Sequence, residues 1–293
     1  MPAPSAPALE SALARLETRW GSAAVRLGAG HPGQGPPASG TSLPTNGTSP
    51  PVSGALALAP LPEPAPGPVP AERGVLPTGF TRLDALLGVG GLPRGASASF
   101  RGGQSSGKTA LALHCLAQAQ AQGAIAAFLD FSCVFDPLEA AGRGVDLRWL
   151  LVLRPRDEQE GFALGAALLG GRQVDLLVVD LPARLSAQHE NGLRRLAAHA
   201  RRQSIRLIVL EPVSIGRNLH GALAESVGLR LELEQRAWLR AGRDVVGRCV
   251  QVSVAKNRFG PPGRATELEI RYLADGERQP AVDLYAERAD GPG

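Results

Sequence analysis

The stretch RGGQSSGKTALAL, residues 101–113, decides how the rest of the chain is read. It fits G-x-x-x-x-G-K-[ST] in full, through Gly102, Gly103, Gln104, Ser105, Ser106, Gly107, Lys108 and Thr109. ASASFR (96–101) before it reads as a strand, and TALALHCLAQAQAQG (109–123) after it as a helix closing at Gly123. Glycines let such a loop curl until successive N–H groups point inward as an anion nest. The helix start adds partial positive charge. In this pattern Lys108 neutralises the β- and γ-phosphates and the Thr109 hydroxyl ligates magnesium, so ATP and Mg²⁺ are the expected cofactors. Lys108 is one of only two lysines; the other is Lys256, and arginine supplies the remaining 29 basic residues. A lysine kept against that bias marks a place where a compact ammonium is needed, which arginine does not replace.

A phosphate loop needs a carboxylate for magnesium at the end of a nearby buried strand. Asp180, closing VDLLVVD (174–180), is the candidate. AIAAFLD (124–130), LRWLLVL (147–153) and IRLIVLE (205–211) are further apolar runs, with helices read over 157–170 and near 190–203. Continuous apolar strands separated by helices predict a mostly parallel sheet covered on both faces, an α/β fold. LRLELE (229–234), CVQVSVA (249–255) and TELEIRY (266–272) alternate instead, which predicts edge or antiparallel strands.

Upstream, Leu9, Leu13, Leu16 and Trp20 recur at helical spacing over 7–20. This helix packs either on its own core or on a neighbouring subunit. Residues 29–74 hold 12 of the 25 prolines and carry no charge between Arg26 and Glu63. Such a stretch cannot offset its ordering entropy and reads as a disordered linker. The N-terminus lacks a basic segment leading into an apolar block, no apolar run reaches the roughly 18 residues of a membrane span, and three scattered cysteines give no disulfide or zinc pattern. The expectation is a cytoplasmic protein, nucleoid-associated at most, with no membrane partner. Its net charge of +4 is compatible with nucleic acid.

LPTGFTRLDALLGVGGLPRG, running into the phosphate loop, is similar to the bacterial RecA recombinase family. The likeness continues through GAIAAFLD, DPLEAAGRGVDLRWLLVLRP, VDLLVVD and VQVSVAKNRFGPPGRATELEIRY, and returns at ALESALARLETRWGSAAVRLG. The resemblance implies a RecA-type P-loop core (75–275), an N-terminal oligomerisation element (1–28) on the linker (29–74), and a short tail (276–293). It implies ATP held between protomers on single-stranded DNA, and so favours docking of helix 7–20 on a neighbour. Asp136 falls in the adenine-facing stretch. Lys256 and Arg258 fall where the family has two basic residues reaching a neighbour's γ-phosphate; the alternative is a solvated pair at a strand end.

The chain also departs from the family. Ser132 stands where the family carries the glutamate that activates water, and a serine is a poor general base. Asp130, Asp136 and Glu211 are the nearest carboxylates. Glu139 replaces an aromatic that stacks on the base, Pro212 replaces a glutamine that couples the γ-phosphate to a DNA loop, and Arg258 replaces a lysine. The segments after Asp180 and Pro212 are short, leaving Arg184, Arg194, Arg195, Arg201, Arg202 and Arg217 as phosphate contacts or as solvated helix faces. With the sequence running only a short way past LEIRYLADGE, the expectation is that the family's further C-terminal domain is missing. These residues predict an ATP-binding protein of recombination, repair or the DNA-damage response, with weak DNA-dependent hydrolysis, altered single-stranded DNA contacts, and self-association or mixed contacts with a full recombinase. The alternative is a non-catalytic partner of a true recombinase or a translesion polymerase assembly.

Overall fold

The apolar runs read between residues 96 and 211 all become central strands in the computed structural model, which describes residues 74–272 together with Ala14 and residues 25–27. The strands are β1 (Val25–Leu27), β2 (Val75–Leu76), β3 (Leu92–Pro93), β4 (Ser97–Gly102), β5 (Ala126–Asp130), β6 (Leu150–Leu153), β7 (Leu176–Asp180), β8 (Arg206–Pro212), β9 (Leu229–Ala241), β10 (Asp244–Asn257) and β11 (Ala265–Arg271). The helices are α1 (Thr81–Leu87), α2 (Lys108–Ala121), α3 (Pro137–Gly142), α4 (Glu158–Gly170), α5 (Glu190–Gln203) and α6 (Arg217–Ser226). The main sheet has the order β1-β6-β5-β7-β8-β4-β9-β10-β11. The run from β6 to β9 is parallel, and β1, β10 and β11 pair antiparallel at the two sides.

Both faces of the parallel strands from β6 to β4 are buried, which is why these strands carry no alternation. On one face Leu111 and Leu116 of α2 and Leu83 of α1 pack against Phe100, Phe128 and Ile208. On the other, Phe162 and Leu168 of α4, Leu193 and Leu196 of α5, and Leu219 and Leu223 of α6 cover Leu129, Val179 and Val209. Local sequence sets the helix starts. Asp157 caps α4 by accepting from Glu160 N at 2.8 Å, while Glu160 accepts from Arg156 N at 2.6 Å.

Two sequence expectations change, and one resolves. Of the edge and antiparallel readings of LRLELE, the antiparallel one holds: β9 lies between β4 and β10 and pairs antiparallel with β10, with Leu229, Leu231 and Leu233 buried on the α2 face. Its alternation comes from the other face, where Arg230 joins a polar network and Glu232 and Glu234 are exposed. The segment after Pro212 is not all loop, because Leu219, Ala222 and Leu223 seat α6 on the sheet. Leu147–Trp149 form a 3-10 turn ahead of β6, so that strand is shorter than read. The helix read at 7–20 (Ala14 apart), the linker 29–74 (Gly74 apart) and the tail 276–293 lie outside the described residues. No helix among those described is long and apolar enough to cross a membrane.

Candidate nucleotide site

The carboxyl ends of β4, β5, β7 and β8 gather at one edge of the sheet, where open α/β sheets bind ligands. Gly102 pairs with Pro212 and Asp130 with Asp180. The loop from Gly103 to Gly107 turns from β4 into α2 at this edge, and the flanking Gly102 and the closing Gly107 have no room for a side chain. A Cβ on Gly102 would meet Ser106 Oγ at 2.2 Å, and one on Gly107, where φ is 86°, would meet Ile270 Cδ1 at 2.6 Å. Ser105 takes φ of 60° without being glycine. Ser106 N and Lys108 Nζ both approach the Gly103 oxygen at 3.4 Å. Two donors sharing one carbonyl at that length hold it weakly, and both can turn to a phosphate oxygen.

Asp180 is buried at the end of β7, with no hydrogen bond or ion pair in range among the described residues. Burial pushes its carboxyl up to about 6 against the pull of the Lys108 ammonium, and Asp130 adds to the rise. Burial also lowers Lys108, with Asp180 opposing. Each therefore lies within electrostatic reach of the other. Thr109 is exposed in the first turn of α2. No group of three or more His, Cys, Asp or Glu side chains among the described residues forms a metal cage. Magnesium takes one or two carboxylates alongside substrate phosphates, and Asp180 is a carboxylate of that kind at the loop.

The other carboxylates are committed elsewhere. Asp130 accepts from Val134 N at 3.0 Å and Phe135 N at 2.9 Å and pairs with Arg154, so it shapes the β5–α3 loop. Asp136 caps α3 by accepting from Leu138 N at 2.9 Å. Glu139 pairs with Arg143. Ser132 is exposed on that loop. Glu211 is fully buried on the α6 face, opposite α2. It pairs with Arg101 at 3.2 Å and meets His220 Nδ1. Arg230 donates to His220 Nε2 at 2.9 Å. A guanidinium only donates, so Nε2 accepts and Nδ1 carries the proton toward Glu211. His220, Arg230, Arg101 and Glu211 were not legible as a unit in sequence, because three strands and a helix bring them together.

Lys256 and Arg258 do not reach their own phosphate loop. Lys256 donates to the Ala224 oxygen at 2.6 Å and the Glu225 oxygen at 3.3 Å, and Arg258 to the Glu225 oxygen at 3.3 Å. Both therefore cap the C-terminal end of α6, where cations are favoured. Lys256 pairs with Arg230, which pairs with Ser99, three residues back along β4 from Gly102 and two strands away. Of the arginines read as phosphate contacts, Arg194 is paired with Glu190 and Glu225. Arg184, Arg195, Arg201, Arg202 and Arg217 are exposed, and no ion pair to them is formed among the described residues.

Residues 70–208 match the RecA N-terminal domain. The chain is 34% identical over 224 residues to protein RecA of Chlorobium limicola, covering 67% of this chain and 64% of that one. It is 34% identical over 229 residues to protein RecA of Symbiobacterium thermophilum, covering 68% and 65%. It therefore spans less than two thirds of the length of these curated relatives. Among solved structures, the crystal structure of the RadB recombinase shares the fold with a TM-score of 0.54 at 23% identity, covering 67% of this chain and 96% of that one. The core of this chain belongs to the RecA family.

Proposed function

We propose that this RecA-family chain binds MgATP on the loop Gly102–Thr109, turns it over slowly, and acts in DNA recombination, repair or the damage response. The observation that carries the reading is the glycine loop turning into α2 at the sheet edge, with Lys108 on it and a buried Asp180, unpartnered among the described residues, at the end of β7, while the position expected to hold the activating base is an exposed Ser132. Gly103 to Gly107 cradle the phosphates with main-chain N–H groups, and Lys108 turns from the Gly103 oxygen to the β- and γ-phosphates. Thr109 and Asp180 are the residues that would hold magnesium, which when bound neutralises phosphate charge. A cation beside Asp180 favours its ionised form, offsetting its burial. Without a carboxylate at 132, hydrolysis lacks general-base assistance, worth typically ~10²–10⁴ in rate.

Lys256 and Arg258 point away from their own loop, so any contact they make with a γ-phosphate is to a neighbouring copy or to a full-length recombinase. That contact requires them to leave the α6 carbonyls, which links subunit docking to the end of this helix. Single-stranded DNA contacts fall to the unpaired arginines on α5, at the start of α6 and on the segment after β7.

A second reading is a non-catalytic partner of a recombinase or a translesion polymerase assembly, with ATP as a structural ligand. It is favoured by Pro212, which offers no side-chain donor beside the loop, and by Glu211, which is locked into the His220 network. One experiment separates the readings. MgATP affinity, steady-state turnover and binding of a labelled single-stranded oligonucleotide are measured on one preparation, with and without full-length RecA. The first reading expects saturable ATP binding, DNA binding and turnover at least ~100-fold below an active recombinase. ATP binding without DNA binding, together with an effect on RecA turnover, favours the second.

A further inference from the structure

Arg248 of β10 stands opposite Trp238 of β9 and reaches the phosphate loop. Its guanidinium carbon lies 5.7 Å from the Trp238 ring centre and 5.1 Å from that of Tyr272, so the cation sits against two aromatic rings. Nη1 donates to the main-chain oxygen of Ser105, 143 residues earlier in the chain. Nε is buried and has no hydrogen-bond partner. A guanidinium held this way has traded water for ring faces and one carbonyl.

The carbonyl it holds belongs to the strained residue of the loop, Ser105, at φ of 60°. In a trans peptide the C=O and the next N–H point in opposite directions. Drawing the Ser105 oxygen out toward β10 therefore turns the Ser106 N–H inward, where it faces the Gly103 oxygen that Lys108 also approaches. We infer that Arg248 is a positioning residue for the phosphate loop. Trp238 and Tyr272 fix the guanidinium, the guanidinium fixes the Ser105 oxygen, and that oxygen aims an N–H into the anion nest. The inference rests on the nucleotide-site reading above and deepens it. It assigns a loop-shaping task to three residues outside the glycine motif. Because the task concerns the loop and the phosphates alone, any polyphosphate that enters the nest should depend on it, with or without a base.

The test is calorimetric titration of the full chain with MgATP and, separately, with magnesium tripolyphosphate, which has no nucleoside. Arg248→Ala should weaken both by the same factor, about tenfold for the loss of a hydrogen bond from a charged donor. Arg248→Lys keeps a donor of similar reach and should recover part of that loss for both ligands. Trp238 emission should change on adding tripolyphosphate to wild type, and Trp238→Phe identifies the signal among the three tryptophans. Unfolding of each variant without ligand is followed in parallel. If Arg248→Ala does not fold, the Arg248→Lys titrations and the Trp238 signal carry the test. Unchanged affinity for both ligands overturns the inference. A loss for ATP alone overturns it in favour of nucleoside contact, and tighter binding overturns it in favour of a blocking role. Wild type that binds neither ligand overturns the nucleotide reading itself, and this inference with it.

Discussion

Gly107 holds the turn into α2 under two separate constraints, a left-handed backbone and the Ile270 side chain 2.6 Å from any added Cβ. Gly107→Ala should therefore lose ATP binding and destabilise the fold by ~1–3 kcal/mol, read by titration and by denaturant unfolding. The buried acid and base near the start of the core set a second expectation. Burial raises Asp84 to about 6 from an ordinary value of 3.8, although Thr78 N donates to it. Between those values the folded chain binds the extra proton, so this group adds stability as pH falls from 6 to 4. His114 runs the other way. Burial and then the Arg143 charge lower it to about 4 from 6.5, so the unfolded chain takes the proton first and stability is lost as pH falls from 6.5 to 4. Asp84→Asn removes only the gain. Its unfolding free energy should fall more steeply than that of wild type between pH 6 and 4, by at most ~1.4 kcal/mol per pH unit. Parallel pH profiles would contradict this. At this scale the motif from Gly102 to Thr109 was fully legible, because its residues are contiguous. Arg248 was not, since only the strand register carries it to Ser105.

The parallel strands were legible as elements because each is an apolar run long enough to cross a buried sheet. The short helices were not. Thr81–Leu87 has seven residues and no side-chain cap, and α6 begins behind Gly216 and carries Gly221 within it. What seats α6 is tertiary: Leu219 and Leu223 against the sheet, and His220 on buried Glu211. His220→Ala leaves that carboxylate without one of its two partners. The expected cost is ~1–3 kcal/mol in denaturant unfolding, and a His220→Ala, Glu211→Leu double variant should recover part of it. Full additivity of the two single losses would argue that the pair does not interact. On the β5–α3 loop, Ser132→Glu supplies the carboxylate that is missing there. It should raise turnover if the loop otherwise holds the family's geometry, and an unchanged rate would place the slow step outside proton transfer.

For the whole molecule, Lys256 and the N-terminal segment set the expectation. Lys256 lies away from its own phosphate loop, and β1 adds Val25–Leu27 to the β6 side of the sheet. We expect ATP-dependent small oligomers, or mixed contacts with a full recombinase, rather than long filaments by this chain alone. Deleting residues 1–28, or changing Leu13 and Leu16 to Asp, should return the protein to monomers in light scattering with ATP present. Equal mass for these variants and wild type, with and without ATP, would remove the N-terminal segment as an assembly element. Assembly was only partly legible in sequence, because a helix read from spacing has the same apolar stripe whether it docks on its own core or on a neighbour. All of this stands on the loop holding a nucleotide, and one titration tests that most directly: MgATP binding to wild type and to Lys108→Ala. Saturable binding is expected for wild type and none for the variant, which has lost the ammonium that would meet the β- and γ-phosphates. Equal affinity in the two proteins, or no binding by wild type, would contradict it.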